Sequence, residues 1–460
     1  MTKTDFLVIG SGPAGQHAAI QAAKLGKQSI LVERNKRIGG VTVHTGTIPS
    51  KTLREAILYL TGWRQRGFYG RDYRVKRSIT IDDLAQRLGL TIRHEIEVIE
   101  DQLHRNGIKV IHGTARFVDP NTMEVENGDH SETIRADRIL LATGTRPRRP
   151  DDIPFDDETI IDSDSLLRMN RIPHSAIVFG AGVIGMEYAS MFNALDVEIT
   201  LVNEHEELLP FIDREIMGEF IHHLRDRGIR FHLGDKLDSV RRGDDGQVIA
   251  TFASGRSLSA DVFLFTAGRI GCTSALQLER AGLAANARHQ LEVNKDFQTT
   301  VPHIYAAGDL IGFPSLASTS IEQGRLAARH AFGKPHNAPP DHFPYGIYSV
   351  PEISMIGKTE EELVNDGIGF EIGIARLRET ARGQIVGLRE GLLKLIIGLE
   401  DHRILGVHIV GEGATELIHI GQAVMILGGT LEYFVENAFN YPTLAETYKI
   451  AALDAWNRIG

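Results

Sequence analysis

Four consecutive apolar residues, Phe6-Leu7-Val8-Ile9, stop at Gly10. An alanine-rich stretch follows, and then a second apolar run, Ile30-Leu31-Val32, which closes on Glu33. The same order returns later in the chain. Ala176-Ile177-Val178-Phe179 stops at Gly180, and a longer stretch leads to Ile199-Thr200-Leu201-Val202, closed by Asn203. Short apolar runs bounded by glycine predict buried strands, and the longer stretches between them predict helices. Each copy is therefore a strand, a glycine turn, a helix and a second strand. Between the copies the pattern predicts a helical stretch from about Ser50 and strands at Lys109-Val110-Ile111 and Ile139-Leu140-Leu141. Arg146-Pro147-Arg148-Arg149-Pro150 is turn-rich and basic, a candidate boundary. A further strand, Val262 to Thr266, ends in Ala267-Gly268-Arg269. From about Asp341 the texture changes. Strand-like runs at 392–397 and 404–410 precede helical runs at 416–427 and 446–456, which predicts a separate α+β region.

The two turns carry specific chemistry. Gly10 permits a tight turn, Gly12 lets a pyrophosphate approach the backbone, and Gly15 lets helix and strand pack closely. Gly180, Gly182 and Gly185 repeat that spacing. The helix that follows each turn offers unpaired N–H groups and a positive dipole end to phosphate. Glu33 stands where an acidic side chain accepts hydrogen bonds from an adenosine ribose, and Asn203 is its counterpart. A neutral amide can bond a 2′-hydroxyl without repelling a 2′-phosphate, so the second site can accept either nucleotide. Asn203 could equally be a neutral surface substitution. Glu204, Glu206 and Glu207 are acidic neighbours, no arginine pair stands ready for a 2′-phosphate, and His205 is the one nearby candidate cation. A single turn of this kind could bind nothing; two copies, each framed by strand and helix, point to two dinucleotide sites. The expected fold class is α/β. It has two Rossmann-like dinucleotide-binding domains, the first from segments 1–145 and 271–340 and the second from 146–270, and an α+β domain from 341–460.

Composition narrows the choice of function. A net charge of -10 argues against a surface built to coat nucleic acid. The one cysteine, Cys272, cannot by itself form an intramolecular disulfide, a two-thiol relay or a cysteine-rich zinc site. No metal site is expected, since the histidines show no ligand-like spacing. No apolar run approaches the roughly 20 residues that span a bilayer, and the first residues lack a signal-peptide pattern. The expected compartment is the cytoplasm.

Further motifs connect the chain to a family. Ala142-Thr143-Gly144 stands at the first crossover, Ile304-Tyr305-Ala306-Ala307-Gly308-Asp309 lies later, and Gly46-x-Ile48-Pro49-Ser50-Lys51 follows the first unit. With the two glycine turns, these make the chain resemble the FAD-dependent pyridine nucleotide–disulfide oxidoreductases. The resemblance implies FAD at the first turn and NAD(H) or NADP(H) at the second. It implies that Asp309 bonds the flavin ribityl chain and that Lys51 sits by the flavin and pairs with Glu187. It also implies that a helix starting near Ser315 points its positive end at the flavin, and that the last domain is a homodimer interface. Thr143, Gly144 and Gly268 fall in the cofactor-binding segments.

The departures from that family matter more. Its two redox cysteines are replaced by Thr42 and Thr47, and its C-terminal histidine by Tyr441 within Asn440-Tyr441-Pro442-Thr443, while Glu446 remains. A threonine hydroxyl is no two-electron redox centre, and a reaction without thiols needs no base to manage them. The combination is similar to the soluble pyridine nucleotide transhydrogenases. It implies reversible ping-pong hydride transfer, NADPH + NAD⁺ = NADP⁺ + NADH, through the flavin alone. Lys51, Glu187, Tyr441 and Glu446 are its candidate catalytic positions. Tyr441 is otherwise a packed interface aromatic, and His44 a packing residue near the flavin. The rival activities are a flavin-dependent NAD(P)H oxidase or quinone reductase, a disulfide reductase of unusual route, and an idle scaffold of the same fold.

Overall fold

The structure is a computed structural model that describes residues 1–335 and 342–459. The expected boundary between residues 340 and 341 lies outside the described residues. The chain groups into two compact units. One holds residues 1–53, 85–148 and 268–335; the other holds 54–84, 149–267 and 342–459.

In the first unit the strand Thr2–Ile9 pairs in parallel with Ser29–Glu33 on one side and His130–Leu141 on the other. Phe6, Leu7 and Val8 are fully buried, so both faces of this strand are covered and an unbroken apolar run is what it needs. Lys109–His112 extends the sheet beyond Ser29–Glu33. The strand His130–Leu141 serves two partners in turn. Its first half forms an antiparallel pair with Thr122–Asn127, and its end runs parallel to Ile304–Ala306. Thr114–Asp119 completes the sheet. On one face the helix Pro13–Lys24 packs on the helix Ala317–Ala331 at backbone contact. A Cβ on Gly324 would fall 2.0 Å from the Ala14 carbonyl oxygen.

Three predicted elements differ in extent. The helical stretch expected from Ser50 starts at Thr47 and is interrupted: Thr47–Leu60 ends before Gly62, a single turn of helix at Arg66–Tyr69 ends at Gly70, both glycines at positive φ, and the long helix Ile81–Arg105 follows. The basic crossover holds a short strand, Thr145–Pro147, paired with Arg269–Gly271, and the Arg269 guanidinium donates to the Thr145 hydroxyl (2.9 Å) and carbonyl (3.0 Å). The helix after Asp309 starts at Ala317, because a 3₁₀ turn at Gly308–Ile311 and a positive φ at Ser315 delay it.

In the second unit five parallel strands stand in the order Arg230–Leu233, Glu198–Asn203, Ser175–Phe179, Val262–Phe265, Ile160–Asp162. A three-stranded antiparallel sheet, Leu237–Arg242, Val248–Phe252 and Ser257–Ala260, was not signalled by the sequence pattern. The C-terminal sheet is antiparallel, in the order Tyr345–Ile347, Ile353–Gly357, Ile404–Val410, Leu392–Gly398, Phe370–Arg376. The helices Ala414–Ile426 and Glu446–Ile459 are joined by the buried Tyr448, whose hydroxyl donates to Leu417 O (2.7 Å) and accepts from Gly421 N–H (3.1 Å).

All seven positions of Leu392–Gly398 are buried, and one of them is Lys394. Its ammonium, 0 % exposed, donates to both carboxylate oxygens of Asp213 (2.9 and 3.0 Å), pairs with Glu215 (3.1 Å), and also bonds Glu360. Asp213 is in turn the N-cap of the helix Arg214–Asp226, accepting from Glu215 and Ile216 N–H. One buried cation thus ties the C-terminal sheet to a helix of the parallel-sheet region. Among the described residues no helix is long and apolar enough to cross a membrane.

Candidate functional site

The first glycine turn is built from backbone contacts that exclude side chains. Gly10 has φ +105°, and a Cβ there would sit 2.3 Å from the Ala142 carbonyl oxygen. A Cβ on Gly15 would fall 1.9 Å from Gly10 O. Gly12 differs: it is the N-cap of Pro13–Lys24, no side chain caps that helix, and a Cβ on it would meet nothing within 4 Å. The helix N-terminus therefore presents free N–H groups to open space, which suits an anionic pyrophosphate. Glu33 is buried and fastens the turn. Its carboxylate accepts from Ser11 N–H (3.1 Å), Ser11 Oγ–H (2.6 Å) and Asn35 N–H (2.8 Å). Ser11 Oγ also accepts Gly39 N–H (2.9 Å), and Gly40 approaches Gly12 so closely that its Cβ would lie 2.9 Å from Gly12 Cα.

That approach places the next segment. Thr42 lies on the short helix Gly40–His44, and Thr47 is the first residue of Thr47–Leu60. His44 Nε2 donates to Ile38 O (2.8 Å), which gives it a structural tie. Lys51 donates to Ser50 Oγ (3.2 Å). Two further groups in this unit have unused capacity. The Thr143 hydroxyl is buried without a hydrogen-bond partner among the described residues, an arrangement usually completed by a ligand or water. Burial pushes the Asp309 carboxyl up, against the opposing pull of Arg269, and its hydrogen bond among the described residues is a long one from Thr145 Oγ1 (3.4 Å). Gly144, at φ +66°, turns the chain and accepts Cys272 N–H (2.9 Å) at its carbonyl. The helix Ala317–Ala331 has no side-chain N-cap. An orphan hydroxyl, an under-bonded buried carboxyl and two uncapped helix N-termini fit a polyhydroxylated, pyrophosphate-bearing dinucleotide.

The second turn repeats the construction. Gly180 has φ +100°, and a Cβ on it would fall 2.8 Å from Ala267 N; one on Gly185 would fall 2.0 Å from Gly180 O. Gly182 is the uncapped N-cap of Val183–Ala194 and again faces open space. Thr266 Oγ1 donates to Gly180 O (2.7 Å), holding the turn against the neighbouring strand. Gly268, just beyond, has φ +102° with open space at its Cβ position. Asn203 closes the strand and bonds Ala181 N–H (3.2 Å). Glu187, one turn into the helix, is buried and accepts Tyr348 N–H (2.9 Å).

The C-terminal candidates are unalike. Tyr441 is 75 % exposed, whereas Glu446 begins the last helix with one carboxylate oxygen buried and without a hydrogen bond among the described residues. A large exposed aromatic on a domain of this kind suits an interface. The pattern gave no hint of the Asp213–Glu215–Glu360 cluster, because Glu360 lies far in sequence from the other two. The signal that could have found it is Lys394 itself, a single charge inside an apolar strand.

Comparison with known proteins agrees with this geometry. Residues 4–324 match the profile of "pyridine nucleotide-disulphide oxidoreductase", and residues 343–452 match the dimerisation domain of the same family. A protein of Mycobacterium bovis named soluble pyridine nucleotide transhydrogenase is 51 % identical, covering 100 % of this chain and 98 % of its own. One of the same name from Escherichia coli is 41 % identical over 99 % of this chain and 98 % of its own. Among solved structures, LpdA of Mycobacterium tuberculosis has a TM-score of 0.89 at 26 % identity, covering 98 % of this chain and 99 % of that one.

Proposed function

The chain belongs to the pyridine nucleotide-disulphide oxidoreductases, an FAD-using family, and on that premise we propose that it transfers hydride reversibly between NADPH and NAD⁺, in ping-pong order and without a redox disulfide. The observation that carries this is the thiol inventory. The only cysteine is Cys272, whose Sγ lies 3.9 Å from Arg34 Nη2, and the segment after Gly40 offers Thr42 and Thr47 instead. The full-length transhydrogenase relatives support the same conclusion.

FAD, when bound, supplies two-electron hydride chemistry that no side chain of this protein provides. The residues supply position and charge. Gly12 and the first turn of Pro13–Lys24 hold the pyrophosphate, and Gly10, Gly15 and Glu33 keep that turn in shape. Thr143 and Asp309 take the polyol hydroxyls, with Gly144 turning the chain between them. The free N-terminus of Ala317–Ala331 offers a positive end to developing negative charge. Thr42, Thr47 and Lys51 line the flavin segment. Gly180, Gly182, Gly185, Asn203 and Gly268 form the pyridine nucleotide turn, with Glu187 on its helix. Tyr441 and Glu446 belong to the interface of a homodimer. A cytoplasmic location follows from substrates that are both soluble pyridine nucleotides.

Stopped-flow mixing without oxygen tests the proposal. NADPH should bleach the flavin absorbance of the holoprotein, and NAD⁺ alone should restore it. A spectrum that stays bleached until oxygen or a quinone is added would instead identify an oxidase or quinone reductase. Steady-state plots should give parallel lines for the two nucleotides. Cys272→Ser should keep the rate within about twofold, the scale of a substitution away from the machinery. A large loss would return sulfur to the reaction.

A further inference from the structure

The two glycine turns share a hydrogen-bond plan and part at one strand end. That difference bears on nucleotide choice, and so rests on the hydride-transfer function proposed above. In the first copy Glu33 accepts Ser11 N–H, its own carbonyl accepts Gly113 N–H (2.8 Å), and its second carboxylate oxygen accepts the N–H of Asn35, two residues on (2.8 Å). In the second copy Asn203 Oδ1 accepts Ala181 N–H, and its carbonyl accepts Gly234 N–H (3.0 Å). Its Nδ2, however, donates to the carbonyl of His205, two residues on (2.9 Å), with Glu207 O at 3.5 Å. A carboxylate can only accept from the following loop, while an amide can donate to it. The residue two positions past the strand therefore presents its N–H to Glu33 in the first copy and its C=O to Asn203 in the second.

The chain leaving the second strand of such a unit passes the adenosine ribose. Here that loop carries three exposed carboxylates, Glu204, Glu206 and Glu207. Glu206 lies against Gly234, where an added Cβ would fall 2.9 Å from its Cγ. We propose that Asn203 is a positioning residue. It sets acceptance of both NAD(H) and NADP(H) by holding the 204–207 loop through its amide, not by touching the ribose. Its oxygen is engaged by Ala181, and its two amide hydrogens have loop carbonyls as acceptors. What remains beside the ribose is a neutral strand end next to an acidic loop whose backbone carbonyls it holds.

The test uses the FAD-bound protein, calorimetric titration with NAD⁺ and NADP⁺, and amide hydrogen exchange of the loop. N203A should weaken both nucleotides together by about tenfold, the effect of one lost hydrogen bond. The NADP⁺/NAD⁺ ratio should stay unchanged and exchange at 204–207 should rise. N203D places a carboxylate oxygen where an N–H faced the His205 carbonyl. It should weaken NAD⁺ at least as much as N203A does, and NADP⁺ by about a further tenfold through repulsion of the 2′-phosphate. A residue that reads the ribose directly gives the opposite result, because a carboxylate on the 2′-hydroxyl would tighten NAD⁺. Tighter NAD⁺ binding by N203D, or wild-type affinities in N203A, overturns the proposal. The titrations need no turnover. A protein that shows this pattern yet passes no hydride to NAD⁺ would count against the reaction alone.

Discussion

Gly15→Ala should yield a protein almost free of flavin and destabilised by about 3 kcal/mol, the upper range for forcing an extra carbon into packed structure. The new Cβ would stand 1.9 Å from the Gly10 carbonyl oxygen. The oxygen is main chain, and the position of a Cβ is set by its own main chain, so no rotamer change relieves the clash. Helix and strand must part, and the phosphate-facing N-terminus moves with them. Gly12→Ala is the matched control. Its Cβ meets no protein atom within 4 Å, so stability should stay near wild type, while the methyl group intrudes on the space a pyrophosphate would enter. Denaturant unfolding together with the flavin-to-protein ratio separates the two: one variant loses fold and flavin, the other flavin alone. A Gly15→Ala protein with full flavin content and an unchanged midpoint would contradict the close-packed turn. Gly185→Ala should repeat the first pattern for pyridine nucleotide, its Cβ falling 2.0 Å from Gly180 O.

Lys394→Met should cost about 3–5 kcal/mol, the range for removing one partner of a buried ion pair. The cost falls mainly on Asp213. Glu215 and Glu360 are partly exposed and can turn to water, but Asp213 is 1 % exposed and would keep an uncompensated charge. Burial opposes the Asp213 charge, yet the neighbouring cations and hydrogen bonds hold its carboxyl below the usual range. Burial likewise opposes the Lys394 charge, and its carboxylate partners more than offset this, raising the ammonium above its ordinary value. For a depressed carboxyl the stabilisation is present above the unfolded pKa and fades as pH falls through the folded one. For a raised ammonium it is present below the unfolded pKa and fades as pH rises through the folded one. The clasp is therefore at full strength from about pH 4 to about pH 10. The stability gap between wild type and Lys394→Met should be widest at neutral pH and shrink as pH falls, because Asp213 without its cation takes up a proton more readily than in the wild type. A gap under 1 kcal/mol at neutral pH would show that the cluster contributes little.

Local geometry explains which features were legible in the sequence. The glycine turns and their flanking strands could be read because each depends on a few adjacent residues: a tight turn, a close helix approach, an apolar run buried on both faces. The Asp309 segment could be placed by its motif, and the helix expected near Ser315 starts at Ala317, after a positive φ at Ser315 that nothing in Phe313-Pro314-Ser315 announces. The antiparallel sheet from Leu237 to Ala260 was missed because its strands alternate weakly, with mostly exposed positions in the first. The Lys394 clasp joins residues about 180 positions apart in sequence and has no local periodicity to betray it. Asn203 was legible as a neutral substitution, but its donor role became visible only when the loop carbonyls were located.

Ser11 is bonded to Glu33 and to Gly39, and Gly40 rests against Gly12. Three stretches of chain proposed to meet the cofactor are thus sewn together by one hydroxyl and one carboxylate. Damage at the Glu33 strand end would spread to the Thr42 helix without any residue there being altered. Conversely, on the proposed function a cofactor seated on Gly12 would stiffen the threonine segment as well, because Gly40 rests against Gly12.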